Sequence, residues 1–412
     1  MSSATSTSPA AGQPLQIARW DGGRRWVVAG GGAGLLFLLA TLAGIAVAPR
    51  EAFFSYLVAF AYWCGIAMAS IVLLMIMHAV KARWVTVVRR PLEVMAASIV
   101  VFAVLAIPLI LGMKQLYIWM DPPASLGKEA LTLLAHKRPY LNLQFFIVRL
   151  AIYFVLWIFL AERLFGWSKR MDVSGDPNLL QRMRSLSPGG LPFIALSFSF
   201  AAFDWLMSLN PLWFSTIFGV YFFAGSFVSA LSMWAIVTRG SAVRPATDKD
   251  SFTAFMTIEH THNIGKLMLA FTCFWTYIAF SQLMLIWIAG LPEETPFYIT
   301  RFGRGWAWMG ILLIVGNFFL PFGALLSRSL KRDPRKLAVV AVWILFMHYV
   351  DVYWLVMPTL HPEGFSFHWT SLTAFLGVGL IAIAFAMSRL RGQFAVPIKD
   401  PYLGDSLRYR QP

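Results

Sequence analysis

Apolar residues in this chain gather in ten blocks of about twenty, separated by short polar stretches rich in Lys and Arg, rather than in short strands or heptads. A run of that length crosses the hydrocarbon of a bilayer as a helix, which satisfies its own backbone hydrogen bonds in lipid. The blocks predict helices over residues 26–48, 53–80, 92–113, 143–165, 191–208, 212–237, 264–288, 306–326, 337–357 and 369–387. The fifth is the shortest, and the Asn210-Pro211 turn into the sixth is very tight. Small residues pair four apart, Gly30 with Gly34 in helix 1, and Ser215 with Gly219 and then Gly225 with Ser229 in helix 6. That spacing lets helix backbones approach closely.

Of the 412 residues 58% are apolar and 13% charged, against roughly 45–50% and 25% in soluble domains. A water-soluble globule is excluded. The formal charge of +15 would suit a nucleic-acid binder only if it formed a patch on a polar domain. Here the basic residues lie between the apolar blocks and report topology instead: 25 fall on one set of alternate segments and 7 on the other. By the positive-inside rule both termini are cytoplasmic. The expected organisation is a disordered tail over 1–16 that is not a signal peptide, a ten-helix transmembrane domain over 17–388 and a cytoplasmic C-terminal tail over 389–412. The outer loops after helices 3 and 7 are the longest on their face. The first carries Trp119, Asp121 and paired prolines, as a loop that covers something or docks a partner would.

Cys64 and Cys273 are the only cysteines, and both sit in apolar blocks, which leaves no disulfide scaffold, iron-sulfur ligand set or thiolate zinc site. The seven histidines are His78, His136, His260, His262, His348, His361 and His368. No helix presents two of them a turn or more apart in its apolar span, so two-haem ligation is not expected. No metal site, catalytic nucleophile or redox centre is predicted on this chain alone.

Titratable side chains inside spans are costly and are functional candidates by default. The start of helix 7, Glu259-His260-Thr261-His262-Asn263-Ile264-Gly265-Lys266, places Glu259, His262, Asn263, Lys266, Cys273, Tyr277 and Ser281 in one narrow sector at about 100° per residue, with Gln282 outside it. Such a stripe would order waters into a proton path; the bland alternative is a packing seam with Lys266 paired to Glu259. Helix 5 ends in Phe203-Asp204-Trp205, with Asp204 about one turn from the outer surface, placed to accept or pass a proton. Helix 9 carries His348 and Asp351 three residues apart on one face, a pair that relays protons or is a structural hydrogen bond. Arg149, in the outer third of helix 4, is the natural counter-ion for Asp204 or Asp351. His78 and the Glu162-Arg163 pair read as solvated helix ends.

The run Phe203 to Tyr221, Phe-Asp-Trp-Leu-Met-Ser-Leu-Asn-Pro-Leu-Trp-Phe-Ser-Thr-Ile-Phe-Gly-Val-Tyr, resembles the corresponding segment of the F subunit of alternative complex III, the bacterial quinol:cytochrome c oxidoreductase. Gly265-Lys266 with Phe271 and the run Tyr277 to Trp287, Leu291 to Thr295, Asp351 to Pro358, and Arg89-Arg90-Pro91-Leu92-Glu93 agree with it. The likeness covers about residues 80 to 360. It implies a ten-helix subunit related to the membrane anchors of polysulfide reductase, with two four-helix bundles and two peripheral helices, beside a homologous C subunit in the inner membrane. Haem c and iron-sulfur clusters would belong to partner subunits on the outer face, menaquinol or ubiquinol would be the electron source, and a terminal oxidase would be a further neighbour. The resemblance also implies a quinone-binding, proton-conducting role without a redox centre. One position departs: Asn263 stands where an Asp is expected before Gly265-Lys266, and an amide cannot ionise. The rival readings are an assembly scaffold that conducts nothing and a secondary transporter, which would need inverted repeats with broken helices; only Pro108 and Pro321 hint at interruptions.

Overall fold

A computed structural model describes residues 19–20, 23–123, 126–240, 255–303 and 305–410. The expected tail over 1–16 and the basic residues Arg244, Lys249 and Arg304 lie outside the described residues. Among the described residues ten helices are long and apolar enough to cross a membrane: α1 Arg24–Val47, α2 Pro49–Ala79, α3 Arg83–Leu111, α4 Leu143–Ser174, α5 Pro177–Leu209, α6 Phe218–Arg239, α7 Ile258–Ala289, α8 Ala307–Leu326, α9 Pro334–Thr359 and α10 Trp369–Leu390. The architecture is helical and multi-pass.

Local chemistry sets the ends. Asp176 caps α5 and Asp333 caps α9, each followed by a proline at the first helical position, where the missing N–H costs nothing. α4 and α7 stop at Gly175 and Gly290, both in the left-handed region with φ 70° and 60°. α7 starts on a capping box: the Thr257 backbone N–H donates to His260 Nδ1 at 3.1 Å, with His260 standing where Glu or Gln usually does. α3 is segmented, with a 3-10 turn at Arg83–Val88 before Arg89–Ala97, Ile99–Leu105 and Ile107–Leu111, and α8 contains a π-turn at Ile314–Phe319.

Three expectations change. α5 is not the shortest span: it is a 33-residue helix that runs through Pro188 and Pro192, because its first turns project beyond the apolar block. α6 begins at Phe218, so Ser215 lies in the connection and shares no helix with Gly219. Gly219 instead lets α6 reach α5, where a Cβ would come within 2.7 Å of Ser199 Cα. α7 begins at Ile258, which brings both His260 and His262 inside the helix.

α2 is the centre of the assembly, with 94% of its apolar window buried against α1, α3, α5, α6, α9 and α10. α4 packs on α5, α6 packs on α7 and α9, and α8 closes against α7 and α9. α1 is peripheral, with 17% of its window buried, and docks on α10 where the Leu38 backbone N stands 2.8 Å from the Cβ position of Gly377. Outward positions such as Val155, Phe280, Trp287 and Ile311 are exposed and apolar, as a lipid-facing surface requires. The segment before α1 meets the segment after α10 on one face, here the terminal face, the opposite one being the distal face: Trp20 N–H donates to Gln393 O at 2.8 Å. From there residues 391–410 fold back across the helix ends, burying Ala395, Val396 and Asp400.

Candidate functional site

Four polar clusters interrupt the apolar core. Nearest the distal face, Asp204 near the end of α5 meets Arg149 near the start of α4. The guanidinium donates from Nε and Nη2 to the two carboxylate oxygens, both at 2.8 Å, and Tyr153 Oη adds a third donor at 2.9 Å. Arg149 Nη1 donates to Tyr140 O at 2.8 Å, and the guanidinium lies 3.8 Å from the Tyr140 ring centroid. Of the two partners open to Arg149 in the sequence, the fold selects Asp204. Both carboxylate oxygens thus carry donors, two on Oδ2 and one on Oδ1, and the charged bidentate pair fixes α4 against α5. A cleft of about 230 Å³ adjoins the pair, lined by Lys137, Tyr140, Phe203, Ser208, Trp213 and Phe214. Burial, followed by the charge of Asp204, pushes the Tyr140 phenol above its ordinary pKa.

Deeper in the bundle α6, α7 and α9 converge on Asp351. Tyr221 Oη donates to one carboxylate oxygen and Trp275 Nε1 to the other at 3.2 Å. No arginine or lysine pairs with Asp351 among the described residues; its ionisable neighbour is His348, with Nδ1 3.8 Å from Oδ2. Both residues are 1% exposed, and among the described residues neither ring nitrogen of His348 has a hydrogen-bond partner. Tyr62 of α2 covers the imidazole at 5.4 Å between ring centroids. Gly225 of α6 makes room for it, since a Cβ there would lie 2.8 Å from His348 Nδ1. Asp351 lies eight positions before its span's last residue, Thr359, with Met357–Thr359 forming a 3-10 turn, which is roughly 12–14 Å of helix. Arg301, on the short distal helix Pro296–Phe302, donates to the carbonyls of Trp354 and Leu355 at 3.2 and 2.5 Å and lies 3.5 Å over Phe297. It caps the end of α9 without a carboxylate partner, and burial works against its charge.

At the terminal face of α7, Glu259 accepts from Arg332 Nη2 at 2.7 Å and stands 3.8 Å from His262 Nδ1. Lys331 packs against Gly265; burial and then the charge of Lys266 pull its pKa below the lysine range. Here the structure corrects the expected stripe. Lys266 is exposed and does not pair with Glu259, Tyr277 is 65% exposed and faces away from the bundle, and the inward side of the helix carries Trp275 and Gln282 instead. The short helix Arg328–Arg332 covers the face of α7 that bears Glu259 and His262.

The fourth cluster was not singled out from sequence as chemistry. Arg89 and Arg90 of α3 clasp Glu93, Nε to Oε1 and Nη1 to Oε2, both at 2.8 Å. Arg90 also pairs with Asp172 of α4 and Arg89 with Asp400 of the C-terminal segment at 2.8 Å. All five side chains are buried. Its one local signal is two arginines three and four residues ahead of a glutamate at the start of a span. His78 joins it as a buried residue rather than a solvated end, and Glu162 pairs with Arg389 of α10 about three turns before α4 ends.

Among the described residues no group of three or more His, Cys, Asp or Glu side chains is placed to hold a metal ion. No protein-family model matches the chain, and no curated protein matches it.

Proposed function

We propose that the chain is a redox-silent membrane subunit of a quinol:cytochrome c oxidoreductase of the alternative complex III kind, in the bacterial inner membrane, that handles protons for its redox-active neighbours. The observation that carries this reading is the His348–Asp351 pair. Two ionisable groups sit 3.8 Å apart deep among apolar helices, with neutral donors on the carboxylate and no arginine or lysine paired with it among the described residues, an arrangement suited to taking up and passing on a proton. The 25-to-7 division of basic residues supports cytoplasmic termini, which would set Glu259, His262 and Lys266 on the cytoplasmic side and Asp204, His348 and Asp351 in the outer half. In this reading α2 through α5 and α6 through α9 form two four-helix groups, with α1 and α10 as the added helices. Exposed Lys266 and Tyr277 then face lipid or a neighbouring subunit such as the homologous C subunit. The aromatic cleft beside Asp204 is the place we assign to a quinone ring of the menaquinol or ubiquinol class. Haem c and iron-sulfur centres belong, in this reading, to the multihaem cytochrome and iron-sulfur partners.

The test is Asp351→Asn in the intact complex in liposomes, following quinol-to-cytochrome c turnover and protons moved per electron together. Retained turnover with a lowered proton yield is expected. An unchanged yield in an assembled complex would sink the conduit reading. It would favour the second one, an assembly scaffold, for which the buried bidentate Arg149–Asp204 pair speaks.

A further inference from the structure

A narrow cavity opens where the terminal ends of α2, α3 and α5 meet the C-terminal segment. It is lined by His78, Lys81, Arg83, Arg89, Arg184 and Tyr402, and its free volume of about 10 Å³ has room for one water-sized particle. Two buried side chains on its wall carry unspent polar atoms. Arg89, 4% exposed, uses Nε on Glu93 and Nη1 on Asp400 but leaves Nη2 without a partner. His78, also 4% exposed, leaves Nε2 without one. A buried polar atom with nothing to bond is costly enough to need a reason; Arg89 Nη2 is always a donor, and His78 Nε2 is one in its Nε2–H tautomer.

Charge points the same way. Four cations line the cavity, Lys81, Arg83, Arg89 and Arg184, and three carboxylates pair with them, Glu93 and Asp400 with Arg89 and Asp405 with Arg83. Arg184 donates only to the Tyr402 hydroxyl, at 3.3 Å. The backbone is also committed here: Lys81 has φ 53°, the one non-glycine residue with positive φ among those described, a conformation that costs energy and clusters at binding sites. It turns the chain sharply between α2 and the Arg83–Val88 turn, with Lys81 and Arg83 on the exposed rim and His78 and Arg89 on the floor.

We propose that this cavity is a small-anion site taking a single halide of the chloride class, held by Arg89 Nη2 and His78 Nε2 beneath a rim of Arg184, Lys81 and Arg83. The ion balances the surplus positive charge and ties α2, α3 and α5 to the C-terminal segment through the Arg184–Tyr402 contact. Polyatomic anions such as sulfate exceed the space. The site is independent of the proton-handling reading and stands or falls without it.

The test is thermal unfolding of the full-length chain in detergent, in sodium chloride, bromide, gluconate and sulfate at matched ionic strength, with and without Arg184→Gln. That variant leaves the Arg89–Glu93–Asp400 contacts in place. A rise in Tm that saturates with chloride and bromide, is absent in gluconate and sulfate, and is lost in the variant is expected. Equal rises in all four salts, or an undiminished halide effect in Arg184→Gln, would overturn the assignment. If the variant fails to fold, anomalous scattering from bromide-soaked wild-type crystals decides the matter: a peak between Arg89 and His78 supports the site, and a water there with no bromide signal refutes it.

Discussion

Replacing Arg149 by methionine removes the guanidinium and keeps most of the side-chain volume. Asp204 would lose both bonds of 2.8 Å, worth about 1.5–3 kcal/mol each for a charged partner, and would keep only the Tyr153 hydroxyl. A buried ion pair stripped of one member costs about 3–5 kcal/mol, mostly because the remaining charge has no compensation. That figure is the expectation for Arg149→Met, and Asp204→Leu alone should cost a similar amount by stranding the cation. The double substitution removes both charges. What then remains is a Tyr140 carbonyl and a Tyr153 hydroxyl short of a partner, about 1–2 kcal/mol together. The cycle therefore predicts a coupling energy of at least 2 kcal/mol, as an order of magnitude, read from reversible unfolding in mixed micelles by circular dichroism. If the double variant is destabilised by the sum of the singles, the pair does not act as a unit and the account of this cluster is wrong.

Two further substitutions probe separate parts of the bundle. Gly225→Ala places a methyl 2.8 Å from His348 Nδ1 and 3.4 Å from Asp351 Oδ2; overpacking of this kind costs about 1–3 kcal/mol, so an unchanged Tm would contradict the close approach of α6 to α9. The Asp333 carboxylate, capping α9, is held below its ordinary value of 3.8, first by the Arg335 N–H. A depressed acid contributes stability that is complete above its unfolded pKa and disappears as pH falls through the folded one. The Tm difference between wild type and Asp333→Ala should thus be constant at neutral pH and shrink on acidification below about pH 4, and a difference independent of pH would refute the charged cap.

Whatever depended on block length was legible in the sequence, because the penalty for unpaired backbone in lipid leaves one way to arrange twenty apolar residues. All ten spans appear in order. Their ends were less legible: the run from Pro177 to Gly190 is too polar to count as membrane, yet a capped proline start carries it into α5. Side-chain partners were legible only as options. Periodicity put Asp204 and Arg149 at similar depth, but nothing local said whether α5 or α9 would face α4. Arg90 and Asp172 lie 82 residues apart, and the other buried arginine of that cluster meets Asp400 in a segment read as a tail. Arg301 gave no signal because its partners are backbone carbonyls, which every residue carries. The stripe on α7 misled because Arg328–Arg332 covers its polar end, while its continuation through Tyr277 turns outward.

The near-complete enclosure of α2 bears on how the protein is made. Its Ser55 hydroxyl meets Thr370 and Ser371 of α10 at 2.9 and 3.0 Å, and Trp63 Nε1 donates to Phe375 O at 3.0 Å, contacts that span more than three hundred residues of chain. During synthesis α2 therefore waits for α10, made about three hundred residues later, before its polar atoms find their permanent companions. During that interval lipid, a translocon or a chaperone must shelter it, and a stalled or truncated nascent chain would leave the middle of the molecule unfinished rather than merely shorten its edge.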